Sequence, residues 1–579
     1  GLHGGIDLRY GSAAESMGVH GSLSRRGERA ALQLDASVRE ADDYEAPSGR
    51  FGDVDLDEST PVLDTGLDDD SLSGTFLWDA TPSQELSVKL TRYRADQAGF
   101  GLVEPEVIGD TSGARIRILY PFQDFDRYTV GWVGSDLGTT VADVIEARLY
   151  YQDNERELAN DIDIAVPPPA PGAPGLLIEA DTLNFTDLET WGARLEGRKG
   201  TTDHRHLISY GLEGYRDDSF NTDFSETTVS LTFPFPPFVL PIDVATDDVA
   251  NAPNAENTSW GVFAQGEIAA TDRLQVVAGG RYQSVETRAE ATPGWDTTGL
   301  DFDDDHAVGA ISALVQVTPE LRLYGSFGTA FRAPNIIERL FNGVTPEGIG
   351  FQILNPALGS ETSENIDLGV KYRRDNAVFE LTLFRNDIDD GIVQYFLTAG
   401  EVAALPPDLQ EDIRNSGAVF VVQQRNADRL RYEGVEVAAG YRGPRDLAFG
   451  LNYTYLDAER LDSANPPTGD TYSDKVNVFA RWEPLDRPFW AEARARHNGD
   501  DELNLQPGEP VPVVGTTLPS FTVVSLAGGW TFRERDSQRH ELFARLENAT
   551  DELYSESSNA PFFRPQPERD LRIGYRLRL

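Results

Sequence analysis

YGSFGTAFRAPNIIERLFNGVTPEGIGFQILNPALGSETSENIDLGVKYRRDNAVFELTLFRNDIDD, residues 324–390, is the stretch that decides the fold of this 579-residue chain. Its first segment runs to Phe331-Arg332-Ala333-Pro334. Proline has no N–H to give to a ladder, so Pro334 closes a strand there. A Gly-rich excursion follows, and Asn355-Pro356 reads as a turn signal. Glu361-Thr362-Ser363-Glu364-Asn365 opens the next strand, which reaches a tight turn at Arg373 to Asn376 before a third begins. One end of each strand meets a long polar connection and the other a short one.

The same organisation extends in both directions. Leu274, Val276, Ala278, Gly280 and Tyr282 share one parity, and Arg273, Gln275, Arg281 and Gln283 the other. Leu447, Phe449, Leu451, Tyr453 and Tyr455 alternate with Ala448, Gly450, Asn452 and Thr454; Ala491, Ala493 and Ala495 alternate with Glu492, Arg494 and Arg496. Leu571, Ile573, Tyr575, Leu577 and Leu579 close the chain in the same way, opposite Arg572, Arg576 and Arg578. Side chains of a strand point alternately to opposite faces, so each segment has one apolar and one polar face. Short turns alternate with the polar stretches 41–70, 97–123, 155–187, 217–256, 289–303, 332–361, 389–428, 499–519 and 549–567. That pattern is expected of an antiparallel β-barrel in a membrane, with long loops at one rim and tight turns at the other. The segments 113–122, 225–232, 392–397 and 418–425 read as loop hairpins or strand extensions.

Composition sets limits. No run of about 18 apolar residues exists, so no transmembrane helix is expected; a barrel would leave no such run. There is no cysteine, hence no disulfide framework and no thiolate site. The 50 basic and 96 acidic residues leave a formal charge of −46, which excludes nucleic acid as a natural partner. Acids occur in most loops, as on a solvated surface.

Four features together resemble the TonB-dependent outer-membrane receptors. They are the FRAP-like box Phe331-Arg332-Ala333-Pro334, the NP-x-L box Asn355-Pro356-Ala357-Leu358, the segment Tyr432-Glu433-Gly434-Val435-Glu436-Val437, and Leu546-Glu547-Asn548-Ala549-Thr550-Asp551 with Tyr554. They follow in the family's order over about residues 320–579. Counting back from the C-terminus gives 22 strands, the family's number. The resemblance implies an all-β, 22-stranded antiparallel transmembrane barrel over residues 1–579, in the outer membrane of a Gram-negative bacterium. Signal peptide, TonB box and plug are expected to precede Gly1. The implied function is TonB-coupled uptake of a scarce nutrient, with a ferric siderophore or other iron chelate as the leading cargo. A passive outer-membrane channel and a surface binding or adhesin barrel are the alternatives. Transport makes no bonds, so neither enzymatic activity nor a cofactor is expected. The implied partners are outer-membrane lipid, the chelate, and a TonB complex engaged through the region before this chain.

Loop candidates for ligand contact are Phe331, Arg332 and Asn355. Strand termination and an interfacial aromatic are the simpler explanation of Phe331 and Pro334. Asp303, Asp304 and Asp305 before His306 are the candidate cation group, since hard cations take several carboxylate oxygens; they lack EF-hand spacing. The acidic run 41–70 lacks it too. His204 and His206 share a strand face near a short turn, with no further ligand nearby in sequence. Residues 335–354 contain neither histidine nor tyrosine, which speaks against a haem ligand between the boxes. As a bare barrel, residues 1–579 are expected to conduct ions in a planar bilayer with a preference for cations. A tightly sealed barrel would show that its own loops fill the bore.

Overall fold

The computed structural model describes residues 2–110, 113–170, 173–203, 205–234, 237–345, 350–461, 471–503, 505, 507–535, 538–557 and 562–579. Its strands form one closed antiparallel barrel of 22. The first strand, Leu2–Gly11, pairs with Ser16–Arg26 on one side and with the last, Asp570–Arg578, on the other, from Gly5 opposite Arg578 to Gly11 opposite Arg572. Both ends of the chain lie at the rim of short turns. Closure leaves the wall no free edge, which a sheet in lipid requires.

The two parities of each strand separate cleanly. Ile6, Leu8, Val19, Phe76, Val88, Leu149, Leu212, Ile311, Leu368, Leu383, Phe449 and Ile573 are exposed on the outward face. Trp78, Trp482, Phe489, Trp530 and Phe532 stand outward near the short turns, and Tyr128, Tyr151, Trp191, Trp260 and Tyr282 stand outward further up. These are two interfacial aromatic girdles around an apolar band. Arg281, Glu380, Glu492, Arg494 and Arg496 take the inward parity.

The inner wall repeats one packing unit. Phe479 lies against Gly450 so closely that a Cβ there would sit 2.0 Å from the ring; Phe543 does the same to Gly574 at 2.1 Å, Tyr150 to Gly192 at 2.1 Å, Tyr324 to Gly369 at 2.2 Å and Trp490 to Gly529 at 2.3 Å. Each ring also carries a cation: Arg494, Arg576, Arg127, Lys371 and Arg481, at 5.8, 5.0, 4.4, 4.8 and 4.2 Å from the respective centroids. Glycine lets the ring lie flat on the backbone, and the ring face holds a charge that would otherwise be free in the bore.

The wall continues above the membrane further than the sequence pattern indicates. Ala114–Gly134, Val144–Val166, Gly175–Gly200 and His206–Pro234 are single strands, so 155–187, read as a loop, is largely ladder. The segments 113–122, 225–232, 392–397 and 418–425 are extensions of barrel strands. Above the bilayer both faces meet water, so nothing selects an apolar parity and the alternation fades while the hydrogen bonds persist. Pro237–Asp247 adds a further outer strand beside Ser225–Pro234. Short helices Ile336–Leu340, Ala399–Ala403 and Pro407–Asn415, unexpected from the sequence, lie in the long loops.

The long loops build cores of their own. Phe51, Val54, Leu56, Val62, Val103, Tyr472, Val514, Leu518, Leu553, Tyr554 and Phe563 bury one another with the inward Phe521 and Val523. Phe351, Ile353, Ile413 and Val421 form a second cluster. Two consequences are measurable through the heat-modifiable electrophoretic mobility of the folded barrel. Phe449→Arg places a charge on the lipid face and is expected to cost roughly 2–4 kcal/mol, with less barrel assembled. Gly574→Val displaces Phe543 and is expected to cost about 1–3 kcal/mol, whereas Gly21→Val, where a Cβ meets nothing within 4 Å, is expected to be neutral.

Candidate functional site

Strand alternation brings basic residues to one sector of the bore. Arg494 and Arg496 come from Phe489–Asn498, Arg545 from Gln538–Glu547 and Arg572 from Asp570–Arg578. With Asn477 and Ser525 they line a cavity of about 340 Å³ beneath the loop cap. Glu547, Glu568 and Asp570 also line it. Arg572 is held by Asp570 at 2.5 Å and Arg496 by Glu556 at 2.8 Å. Arg494 reaches Glu492 through Nη2 at 3.3 Å, which leaves its Nε buried without a hydrogen bond. Arg545 Nε is 2.9 Å from Glu547 but makes no aligned hydrogen bond. Four guanidinium groups thus meet three carboxylates around one cavity.

The roof is set by local sequence. Asn548 turns the chain with a positive φ of 44°. Its Nδ2 donates to the carbonyls of Glu552 and Pro567, at 2.9 and 3.2 Å, and its Oδ1 accepts from the N–H of Glu552 at 2.9 Å. That lock carries Tyr554 over the cavity, where its ring meets Phe521 at 4.7 Å. The Arg496 guanidinium lies over both rings, at 5.3 and 5.6 Å. Burial pushes the Tyr554 phenol up, and Arg496 opposes this only in part. Burial also pushes Tyr44 in the same cap up to about 12, where its hydroxyl donates to the Pro565 carbonyl at 2.8 Å. Both stay neutral at physiological pH.

The residues flagged from the sequence lie elsewhere. Arg332 pairs with Glu338 and Glu361, each at 2.8 Å. Asn335 and Glu338 form a capping box on the helix Ile336–Leu340. Asn355 Nδ2 donates to the Gln424 carbonyl at 2.8 Å, and its Oδ1 accepts from the Ala357 N–H at 3.2 Å. Phe331 stacks on His306 with centroids 4.5 Å apart. Asp304 accepts from Arg339 at 3.2 Å and from the Ser360 hydroxyl at 2.7 Å. Asp303 and Asp305 take the opposite parity from Asp304 and His306, so the four do not converge on one point. The second box, through Asn355 and Leu358, thus forms a buried anchor around Arg339, which is 3% exposed, donates to the Leu358 carbonyl at 2.7 Å and lies 4.3 Å over Phe302.

Carboxylates do gather at places that no spacing along the chain marks. Asp153, Glu155 and Asp187 form one trio and Asp218, Glu256 and Glu290 another, each with oxygens within 4.8 Å of one another. Both are assembled across neighbouring strands. His204 lies outside the described residues. Tyr554 was legible only as part of a motif; nothing in the sequence showed that it and Arg545 line one cavity.

A family model described as "TonB dependent receptor-like, beta-barrel" matches residues 32–549. The ferric enterobactin receptor PirA of Pseudomonas aeruginosa is 28% identical over 277 residues, 44% of this chain and 35% of that protein. The iron-regulated outer membrane virulence protein of Vibrio cholerae is 24% identical over 331 residues, 55% of this chain and 42% of that one. The matches thus span less than half the length of these relatives. Among solved structures, the copper transporter OprC superposes with a TM-score of 0.70 at 15% identity, covering all of this chain and 83% of that one. The FrpB iron transporter of Neisseria meningitidis gives 0.70 at 14%, covering all of this chain and 81% of its own. At such identities the structures speak for the fold alone.

The anchor around Arg339 is testable apart from any ligand. Arg339→Ala leaves Asp304 buried without its cation and is expected to cost roughly 3–5 kcal/mol locally, with faster proteolytic cleavage within 333–360 while the barrel itself stays folded.

Proposed function

The chain belongs to the TonB-dependent receptor-like β-barrel family, and from there we propose that it captures an anionic iron chelate at the cell surface and passes it inward through its bore. The closed 22-stranded barrel and the family place it in the outer membrane of a Gram-negative bacterium. Relatives named ferric enterobactin and siderophore receptors support iron as cargo. The observation that carries the anionic class is the arginine sector beneath the cap, where Arg494, Arg496, Arg545 and Arg572 from three strands line one cavity. A polyanionic chelate can pair with this guanidinium-rich wall, and arginine's planar fork suits its oxygens. Tyr554 and Phe521 add aromatic surface against which ligand rings can pack. Energy for release and passage would come from an inner-membrane TonB complex.

The overall charge of −46 bears on rate. Acidic loops repel an anion at long range, but the Debye length is only about 8 Å at physiological salt. An anionic ligand is therefore expected to associate faster as salt rises, while its retention depends on the arginines. The test is equilibrium and stopped-flow binding of anionic, neutral and cationic ferric chelates of similar size. The anionic class is expected to bind tightest. Arg494→Gln with Arg545→Gln should weaken it by at least about tenfold, mostly through faster dissociation. Equal binding of all three classes, or an unaffected double variant, would remove the arginine sector from the proposal. Growth of a deletion strain on a panel of iron and carbon sources tests the cargo independently. Uptake that survives collapse of the proton-motive force would favour the passive-channel alternative.

A further inference from the structure

A second arginine-lined cavity lies in the same sector of the bore, at the rim of short turns. The turns 443–446 and 483–488 and the adjoining strand ends enclose about 460 Å³. Arg442, Arg481, Trp490, Thr531 and Arg539 line it and take the inward parity, so it opens to the mouth of the bore. Its acids are engaged: Glu483 pairs with Arg481 at 3.0 Å, and Asp446 Oδ2 accepts from the Leu485 N–H at 3.3 Å. Among the described residues, neither Arg442 nor Arg539 has a carboxylate within ion-pairing distance; Arg539 donates to the Thr531 hydroxyl at 3.2 Å. Arg578 stands opposite Arg539 on the next strand, on the same face. Like charges directly opposite one another in a sheet are destabilising, and an anion placed between them relieves this.

One strand joins this cavity to the one beneath the loop cap. Ser525 lines the upper cavity and Thr531 the lower, on the same face of Phe521–Arg535, with only Ala527 and Gly529 between them. At about 3.4 Å per residue the two lie about 20 Å apart along the strand. This floor has low relief. Trp490 lies flat over Gly529, where its Nε1 donates to Glu541 at 2.9 Å and its face carries Arg481 at 4.2 Å. Glu492 and Arg545 flank Ala527 on the two neighbouring strands. Glu492 is shared between Arg494 of the upper cavity, at 3.3 Å, and Arg481 of the lower, at 3.2 Å. In a chain with 96 acidic and 50 basic residues, arginines outnumber acids in both cavities.

Resting on the reading of the upper cavity as the capture site of an anionic chelate, we propose that Ser525, Ala527 and the face of Trp490 form the track the chelate follows along the bore wall. The lower cavity is a second anion site at the exit of that track, made by Arg442, Arg481 and Arg539. The common strand and the shared Glu492 favour a small solute that travels between the cavities over an acidic protein segment that stays at the mouth.

Equilibrium dialysis of the detergent-folded chain against a triply anionic ferric tris-catecholate tests the exit site. A second equivalent is expected to bind beside the one at the cap. Arg442→Gln with Arg539→Gln is expected to weaken the second equivalent by at least about tenfold and leave the first unchanged. Arg494→Gln with Arg545→Gln weakens the first, so failure of the capture site and failure of the exit site are read separately. Ala527→Trp raises the floor of the track midway. In a deletion strain expressing the variant, surface binding of the radio-iron complex is expected to persist while its uptake falls by at least about tenfold. Heat-modifiable mobility shows that each variant folds. A single equivalent on the wild-type chain, or a second equivalent unchanged in the folded Arg442→Gln, Arg539→Gln variant, would overturn the exit site. Undiminished uptake through a folded Ala527→Trp barrel would overturn the track. Binding of an acidic peptide, but not of the ferric complex, at the lower cavity would overturn the proposal in favour of a protein-docking site.

Discussion

Closure of the hydrogen-bonded ladder is the constraint on which everything else rests. In hydrocarbon a backbone N–H or C=O without a partner costs several kcal/mol. The pairing of Leu2–Gly11 with Asp570–Arg578 is therefore required for the wall to exist at all. The two ends of a 579-residue chain become neighbours in one sheet. Once closed, each strand has an outside and an inside, and alternation assigns every side chain to lipid or to the bore.

A bore this wide creates a second problem, since a large barrel cannot be filled by its own side chains. The inner wall meets it by lying flat. Rings such as Phe479 and Phe543 press on Gly450 and Gly574 instead of projecting, and arginines settle over the rings. The result is a smooth, polar, ion-paired surface.

The two rims differ because their chemistry differs. Long loops on one side are large enough to bury cores of their own, so Tyr554 and Phe521 are held in place rather than left to move with solvent. Short turns on the other side have no such room. Their positions are set by strand ends and by aromatics at the interface, as where Trp482 Nε1 donates to the Arg445 carbonyl.

Much of this was written in the sequence. Period-two alternation in Leu447 to Tyr455 and Leu571 to Leu579 assigned faces, because lipid accepts only apolar side chains and so imprints itself on the order of residues. Pro334 and Asn355-Pro356 marked strand and turn boundaries through backbone chemistry alone. The ladder above the membrane was not legible, since water on both faces removes the imprint, and 155–187 looked like loop. The candidate site was legible only in pieces. Arg332 and Asn355 looked free and are in fact spent on Glu338, Glu361 and the Gln424 carbonyl. Asp303 to His306 looked like a cluster and are divided between two faces of one strand. Arg494, Arg545 and Arg572 come from three strands, and Tyr554 from a loop between two of them. Sequence by itself determined the faces, the short and long rims and the family, because these follow from local alternation and backbone chemistry. The tertiary structure alone decided which charges meet, because register and barrel closure bring together residues that no spacing along the chain connects.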